Sequence, residues 1–282
     1  MNVWEALRLG KRLLSQVSKE AELDAELLLR HCLALDRTSL YGRLSEEIST
    51  EQEHCYRDLV SRRLTHEPTP YILGHKEFFG LDFLVTPAAL IPRPETETLV
   101  ELAIAFVRRQ IAGKDPVIAD VGTGCGAIAV SIAHSLPEAG VIAIDSSPDA
   151  LALAGYNAER NMLRGRIRFL QGDLLDSLGN PVDLLIANLP YIPTADIEHL
   201  PPEIRDHEPR RSIDGGPDGL SVIERFLQQA PDHLQPQGAV FAEIGHQQEK
   251  SASRIAASAF PQAYVEVAPD LAGIPRVLAI RP

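Results

Sequence analysis

The sequence is poor in cysteine, in aromatic residues and in positive charge. Its three cysteines, Cys32, Cys55 and Cys125, stand far apart, with no Cys-x-x-Cys and no histidine pair at ligand spacing. That pattern offers neither a disulfide framework nor a zinc site, and no metal is expected. Lys and Arg number 27 against 39 Asp and Glu, a net charge of -12. Duplex binding rests on clustered basic side chains. The short clusters here, Arg62-Arg63 and Arg210-Arg211, each sit near acids, so direct nucleic acid binding is not expected, whereas a protein partner with a basic docking face is compatible. No stretch approaches the roughly 20 apolar residues of a spanning helix. Met1 to Leu14 carries Glu5, Arg8 and Lys11 where a signal peptide would have its apolar core, so no membrane role is expected and the cytoplasm is the expected location.

What the chain does have is apolar bulk, 45% of 282 residues, enough to bury one large or two modest cores. Three regions are expected. Residues 1–66 read as small amphipathic helices, with Val3, Leu7 and Leu14, then Leu23, Leu27 and Leu28, at helical spacing and a capping box at Thr50 and Glu53. This region shows no chemistry of its own and reads as a recognition module. Residues 67–94 form a proline-stiffened connector with a β-hairpin at Lys76 to Val85. Residues 95–282 alternate helical and strand patterns, which predicts an α/β fold with a mostly parallel, doubly wound sheet of seven strands, the last two forming an antiparallel hairpin. Residues 193–219 hold too many prolines, glycines and charges for regular structure.

Four consecutive strand patterns stop at polar residues. Val117 to Val121 carries Asp120 and runs into Gly122, Thr123, Gly124, Cys125 and Gly126, a turn that lets backbone approach a ligand and aims a helix N-terminus at it. Val141 to Ile144 ends in Asp145, about 20 residues beyond the glycines, where α/β nucleoside sites hold ribose hydroxyls. Ile167 to Leu170 precedes Asp173 and Leu174. Leu184 to Ala187 gives way to Asn188-Leu189-Pro190-Tyr191, a corner offering an amide oxygen, a carbonyl beside a residue without N–H, and a flat ring. Two acceptors and an aromatic wall suit a planar group bearing NH2. Carboxyl ends of parallel strands are where such sheets bind ligands. A buried filler role fits Cys125 better than a nucleophile, since no base partner is evident.

The Asp-x-Gly-x-Gly-x-Gly loop with Asn-x-Pro-Tyr resembles an S-adenosylmethionine-dependent methyltransferase acting on a planar nitrogen. With Tyr71-Ile72-Leu73-Gly74, Ile91-Pro92-Arg93-Pro94-Glu95-Thr96-Glu97 and Asp214-Gly215-Gly216-Pro217-Asp218-Gly219-Leu220, the chain resembles the release factor glutamine methyltransferase family over nearly its whole length. The resemblance implies a class I methyltransferase sheet behind a helical domain that grips the protein substrate. It also implies methyl transfer from S-adenosylmethionine to the glutamine of a Gly-Gly-Gln motif. The cofactor would lie against Asp120, Gly122, Thr123, Gly124, Cys125, Gly126, Asp145, Asp173, Leu174 and Asn188. The target would meet Asn188, Leu189, Pro190, Tyr191 and Arg93, with Asn188, Pro190 and Tyr191 as the catalytic corner and the enzyme acting as a monomer. The family has Asn-Pro-Pro-Tyr where this chain has Leu189, which makes the corner less rigid. Alternatives at this stage are a ribosomal-protein glutamine methyltransferase, an adenine-N6 methyltransferase of nucleic acid, a nicotinamide-dependent oxidoreductase and a silent scaffold.

Overall fold

The computed structural model describes residues 1–111 and 115–281, so Pro282, the last residue of the expected third region, lies outside the described residues. The chain divides into two compact units, Met1–His75 with Pro201–His207, and Lys76–Leu200 with the chain from Glu208 on.

The first unit is helical: α1 Val3–Leu14, α2 Ala21–Leu33, α3 Arg37–Gly42, α4 Thr50–Leu64 and α5 Thr69–Leu73. Its core gathers Ala6, Leu14, Leu28, Leu29, Leu40 and Tyr56, the apolar stripes of the individual helices turned inward. Gly10 lets α1 meet α4, because a Cβ there would lie 1.9 Å from the Tyr56 hydroxyl oxygen. The capping box of α4 falls one residue earlier than its sequence signal. Ser49, with extended backbone, accepts from Gln52 N, and the Gln52 side chain accepts from Ser49 N. Both pairs fit the Ser/Thr-x-x-Glu/Gln rule, and the backbone turns at Ser49. The cysteine expectation is also corrected: Cys32 of α2 and Cys55 of α4 are joined as a disulfide, Cα atoms 5.9 Å apart. Spacing along the chain did not show it because the partners come from separate helices. The 201–207 segment belongs to this unit through Arg63. This buried side chain donates to Asp24 Oδ2 at 3.0 Å and to Glu203 Oε1 at 2.6 Å, while Thr69 donates to the other Asp24 oxygen.

The second unit takes up the chain at Lys76, inside the hairpin of β1 His75–Phe78 and β2 Leu81–Leu84, then continues with α6 Thr96–Gln110, β3 Val117–Val121, α7 Ala127–Ser135, β4 Gly140–Asp145, α8 Pro148–Arg160, β5 Ile167–Gln171 and β6 Val182–Ala187. The expected irregular stretch holds two 3-10 turns and α9 Pro202–Arg205. Then follow α10 Ser221–Gln229, β7 Leu234–Glu243, α11 Glu249–Ala259, β8 Tyr264–Pro269 and β9 Pro275–Arg281. The strands form one sheet in the order β5-β4-β3-β6-β7-β9-β8, parallel from β5 to β7 and antiparallel at β9 and β8.

The core alternates as a pleat requires. Ile118, Leu184, Ile186 and Phe241 join the cluster under α6, α7 and α8, while Ala119, Val121, Leu185, Ala187, Val240 and Ala242 join the one under α10 and α11. Both faces of the sheet are thus covered, which is why its central strands read as continuous apolar runs. From β3 the chain travels outward to β4 and β5, then crosses back to β6 on the other side of β3. That reversal opens a crevice at the strand carboxyl ends.

Candidate active site

Register decides which residues share the crevice. Val121 lies beside Ile144 on β4 and Ala187 on β6, and Ala187 lies beside Ala242 on β7. The next residues, Gly122, Asp145, Asn188 and Glu243, therefore stand level. A cleft of about 230 Å3 opens there, lined among others by Gly122, Gly124, Asp145, Asp173, Leu174, Asn188, Leu189 and Pro190. A larger groove of about 670 Å3 crosses the helical unit beside Trp4, Arg8 and Tyr41, but none of the strand-end residues reaches it.

One half of the cleft is built from local backbone. Gly122 has φ +75, and a Cβ on it would stand 2.9 Å from Leu189 Cδ2, so this glycine is required both by its dihedral and by the side chain packed on it. Asp145 ties the loop to β4: Oδ2 accepts from Gly124 N and Oδ1 from Ser147 N, both at 2.9 Å. Each oxygen keeps a lone pair. Asp173 pairs with Arg225, which also lines the cleft, and Leu174 adopts a left-handed φ of +52 beside them.

Four of the expected cofactor residues turn out to sit behind this wall. Asp120 shares the pleat face of Ile118 and is 1% exposed, so it points under the loop and not into the cleft. Its Oδ2 accepts from Thr123 Oγ1 at 2.6 Å and from Ala129 N in the first turn of α7 at 3.1 Å; Oδ1 has no partner among the described residues. Burial pushes its pKa up to about 7, against the two hydrogen bonds. Thr123 is buried with it. Cys125 is buried, its thiol pushed up to about 12 by desolvation, and its carbonyl accepts from Asn157 Nδ2 at 2.9 Å. Gly126 caps the N-terminus of α7.

The other half of the cleft is the Asn188 corner. Asn188 lies on the pleat face of Ile186, and Glu243 lies on the face of Phe241, so both turn toward α6, whose first residue is Thr96. Asn188 Nδ2 donates to Thr96 Oγ1 at 3.0 Å, Thr96 Oγ1 donates to Glu243 Oε2 at 2.6 Å, and the Tyr191 hydroxyl donates to Glu243 Oε1 at 3.2 Å. The Tyr191 ring, expected to wall the target, is therefore drawn back to Glu243 and does not line the cleft. Desolvation raises the pKa of both Tyr191 and Glu243, and for Glu243 the two hydroxyl donors and the Arg276 charge oppose it. Leu189 is 5% exposed and packs into the apolar cluster against Gly122, so an apolar side chain holds the corner where the family has proline.

A returning loop closes the corner from outside. Gly215 approaches so closely that a Cβ would stand 2.7 Å from the Pro190 carbonyl oxygen, and Gln248 Nε2 donates to the Tyr191 carbonyl at 2.8 Å. Arg93 does not line the cleft. It donates to Glu208 Oε1 at 2.5 Å, a carboxylate that is 6% exposed and raised in pKa by burial. The pair fastens the Ile91–Pro94 segment to the loop whose Arg211 and Ser212 form part of the cleft wall. Thr96, Glu243, Glu208, Arg225 and Asn157 were not singled out as site residues from sequence. For Glu243 a signal existed: it is a fifth carboxylate or amide ending a buried strand.

Curated relatives decide the family. The chain is 44% identical over 228 residues to the release factor glutamine methyltransferase of Geobacter sulfurreducens, covering 80% of this chain and 78% of that one. It is 39% identical over 273 residues to that of Bradyrhizobium diazoefficiens, covering 97% and 92%. The chain belongs to the release factor glutamine methyltransferase family. Within it, residues 5–74 match the PrmC N-terminal domain and residues 102–199 the methyltransferase small domain. A methyltransferase structure from Pyrococcus furiosus shares the fold at TM-score 0.52 and 18% identity, covering 81% of this chain and 98% of that one. The fold is thus the class I methyltransferase sheet with a helical N-terminal domain. Among the described residues no helix is long and apolar enough to cross a membrane, and no group of three or more His, Cys, Asp or Glu could hold a metal ion.

Proposed function

We propose that this enzyme transfers a methyl group from S-adenosylmethionine to the side-chain amide nitrogen of the glutamine in the Gly-Gly-Gln motif of peptide chain release factors. The observation that carries the reading is the Asn188 corner, whose Nδ2 is committed to Thr96 while no described residue donates to its Oδ1.

The cleft suits the cofactor by its own chemistry. The Gly122 turn is held open by Leu189 so that backbone lines the wall, Asp145 keeps free lone pairs for hydroxyl donors, and Leu174 with Asp173 forms an apolar and acidic border for a base. Gly122, Gly124, Asp145, Asp173 and Leu174 would hold it there. When bound, S-adenosylmethionine supplies an electrophilic methyl group.

A carboxamide nitrogen is a weak nucleophile because its lone pair is shared with the carbonyl. The chain's task is alignment, which is worth roughly 7 to 11 kcal/mol when reactants are well oriented. Asn188 Oδ1 and a main-chain carbonyl of Leu189 or Pro190 accept the two N–H groups of the target, fixing the nitrogen and favouring its pyramidal form. The nitrogen gains a methyl and releases one proton to solvent, so the corner needs acceptors and no dedicated base. Tyr191 and Leu189 act by holding these acceptors in place, one through Glu243 and one through Gly122. Arg93 acts on the target side through the loop it fastens at Glu208. The net charge of -12 favours this protein substrate over a nucleic acid base.

The test is transfer of labelled methyl to purified release factor, beside a factor with glutamate in place of the Gly-Gly-Gln glutamine. Label on the first and none on the second is expected. Equal labelling of both, or labelling of ribosomal protein or nucleic acid instead, would overturn the substrate.

A further inference from the structure

An Asn side chain presents either an acceptor or two donors, and only the acceptor can hold a target NH2. Nothing on Asn188 itself decides which end faces the cleft. The decision is made behind it, by Thr96 at its side and Glu243 beyond.

Glu243 is held as a carboxylate, against the pull of burial, by its two hydroxyl donors and the Arg276 charge, and in that form it has acceptors only. One oxygen takes the Tyr191 hydroxyl at 3.2 Å and the other takes the Thr96 hydroxyl at 2.6 Å. A threonine hydroxyl has a single proton, so once that proton is given to Glu243 the oxygen can only accept from Asn188. The Asn188 NH2 must then face Thr96, at 3.0 Å, and its oxygen faces the cleft. The chain of bonds is shielded: Thr96 is 4% exposed and Glu243 1%, so water does not compete for either. Arg276, whose charge acts on Glu243, donates from Nε to Asp270 and from Nη1 to the Ile244 carbonyl, and among the described residues the two hydroxyls are the carboxylate's hydrogen-bond donors.

We propose that Thr96 and Glu243 are positioning residues that set the polarity of the Asn188 amide, so that its oxygen and not its NH2 meets the target nitrogen. The proposal rests on the methyl-transfer reading above and deepens it. If the relay is broken, the amide is free to turn over and present donors to a donor. The effect belongs in turnover and not in cofactor binding, because the wrong face costs alignment of the target nitrogen.

The experiment compares Thr96→Val, Thr96→Ser and Glu243→Gln with the unsubstituted enzyme, reading kcat, KM for release factor and cofactor affinity by calorimetry. Thr96→Val keeps the shape and loses the relay, and kcat is expected to fall about tenfold to a hundredfold with cofactor affinity within about threefold. Thr96→Ser, which keeps the hydroxyl, returns kcat to within about threefold. Glu243→Gln, whose amide can turn either its oxygen or its NH2 toward Thr96 and so fixes the relay less firmly, is expected to lower kcat by less than Thr96→Val. An unchanged kcat in Thr96→Val, a loss that serine does not rescue, or a parallel loss of cofactor affinity would overturn the relay. Should Thr96→Val fail to fold, Thr96→Ala, which also loses the hydroxyl, decides on the same criteria. An active unsubstituted enzyme with indifferent variants sinks the relay alone, whereas no transfer by the unsubstituted enzyme sinks the reading of function as well.

Discussion

The two halves of the cleft are held in different ways. The glycine-loop half is fixed by short-range bonds: Gly124 reaches Asp145 across 21 residues and Ser147 reaches it across two. The Asn188 half is fixed by side chains 92 and 147 residues apart in sequence, Asn188 to Thr96 and Thr96 to Glu243. On the proposed function, the half that holds a constant ligand is made of backbone that tolerates few side chains, while the corner that meets the target is aimed by a buried network. Damage to the first half should appear as lost affinity or a changed stability of the loop. Damage to the second should appear as lost turnover.

The largest effect that would sharpen this contrast concerns Asp120, the buried acid beneath the glycine loop. Its folded pKa is raised to about 7 from 3.8, so the folded state favours the protonated form. The stability this contributes is complete below the unfolded value and is lost as pH rises through about 7, a change of up to about 4 kcal/mol over three pH units. Asp120→Asn should flatten the fall in melting temperature between pH 5 and pH 8. A variant curve parallel to that of the parent would show that Asp120 is ionised throughout.

Next in size is Arg93, proposed to act on the target side. Arg93→Leu leaves Glu208 buried without its cation, a loss of about 2–3 kcal/mol once the partial exposure of Arg93 is allowed for. Chemical denaturation should show it together with reduced turnover, since the loop lining the cleft is loosened. Full stability in that variant would mean that the pair does not anchor the loop. Smallest is Asp145→Ala, which frees the Gly124 and Ser147 N–H groups and should weaken cofactor binding about tenfold, roughly 1.4 kcal/mol, with kcat at saturating cofactor nearly kept. If kcat fell while affinity held, the division between the halves would be wrong.

The same contrast explains what the sequence made legible. The glycine loop, Asp145 and Asp173 stand at the ends of apolar strand runs, and local pattern is enough to find them. The sheet and the final antiparallel hairpin follow from the same alternation, whereas the strand order, and with it the switch point, does not. Glu243 and Thr96 belong to one site only because β6 and β7 pair in a particular register and α6 packs over both, which a linear pattern does not display. Cys32 and Cys55 are the same case in the helical unit, brought together by the packing of α2 on α4. The α4 cap differs for a local reason, since two overlapping boxes compete and only backbone geometry chooses. Tyr191 was read as a wall because an aromatic beside a corner usually is one; a buried carboxylate within reach of its hydroxyl redirects it.

Asn188 is where the account is most exposed. Asn188→Ala removes the acceptor proposed for the target and leaves the glycine loop, Asp145 and Leu174 as they are. Cofactor affinity and methyl transfer to release factor, measured on the same preparation, should separate: affinity within about threefold of the parent and turnover lower by at least about a hundredfold. Affinity falling in step with turnover, or turnover surviving, would contradict the assignment of this corner to the target amide.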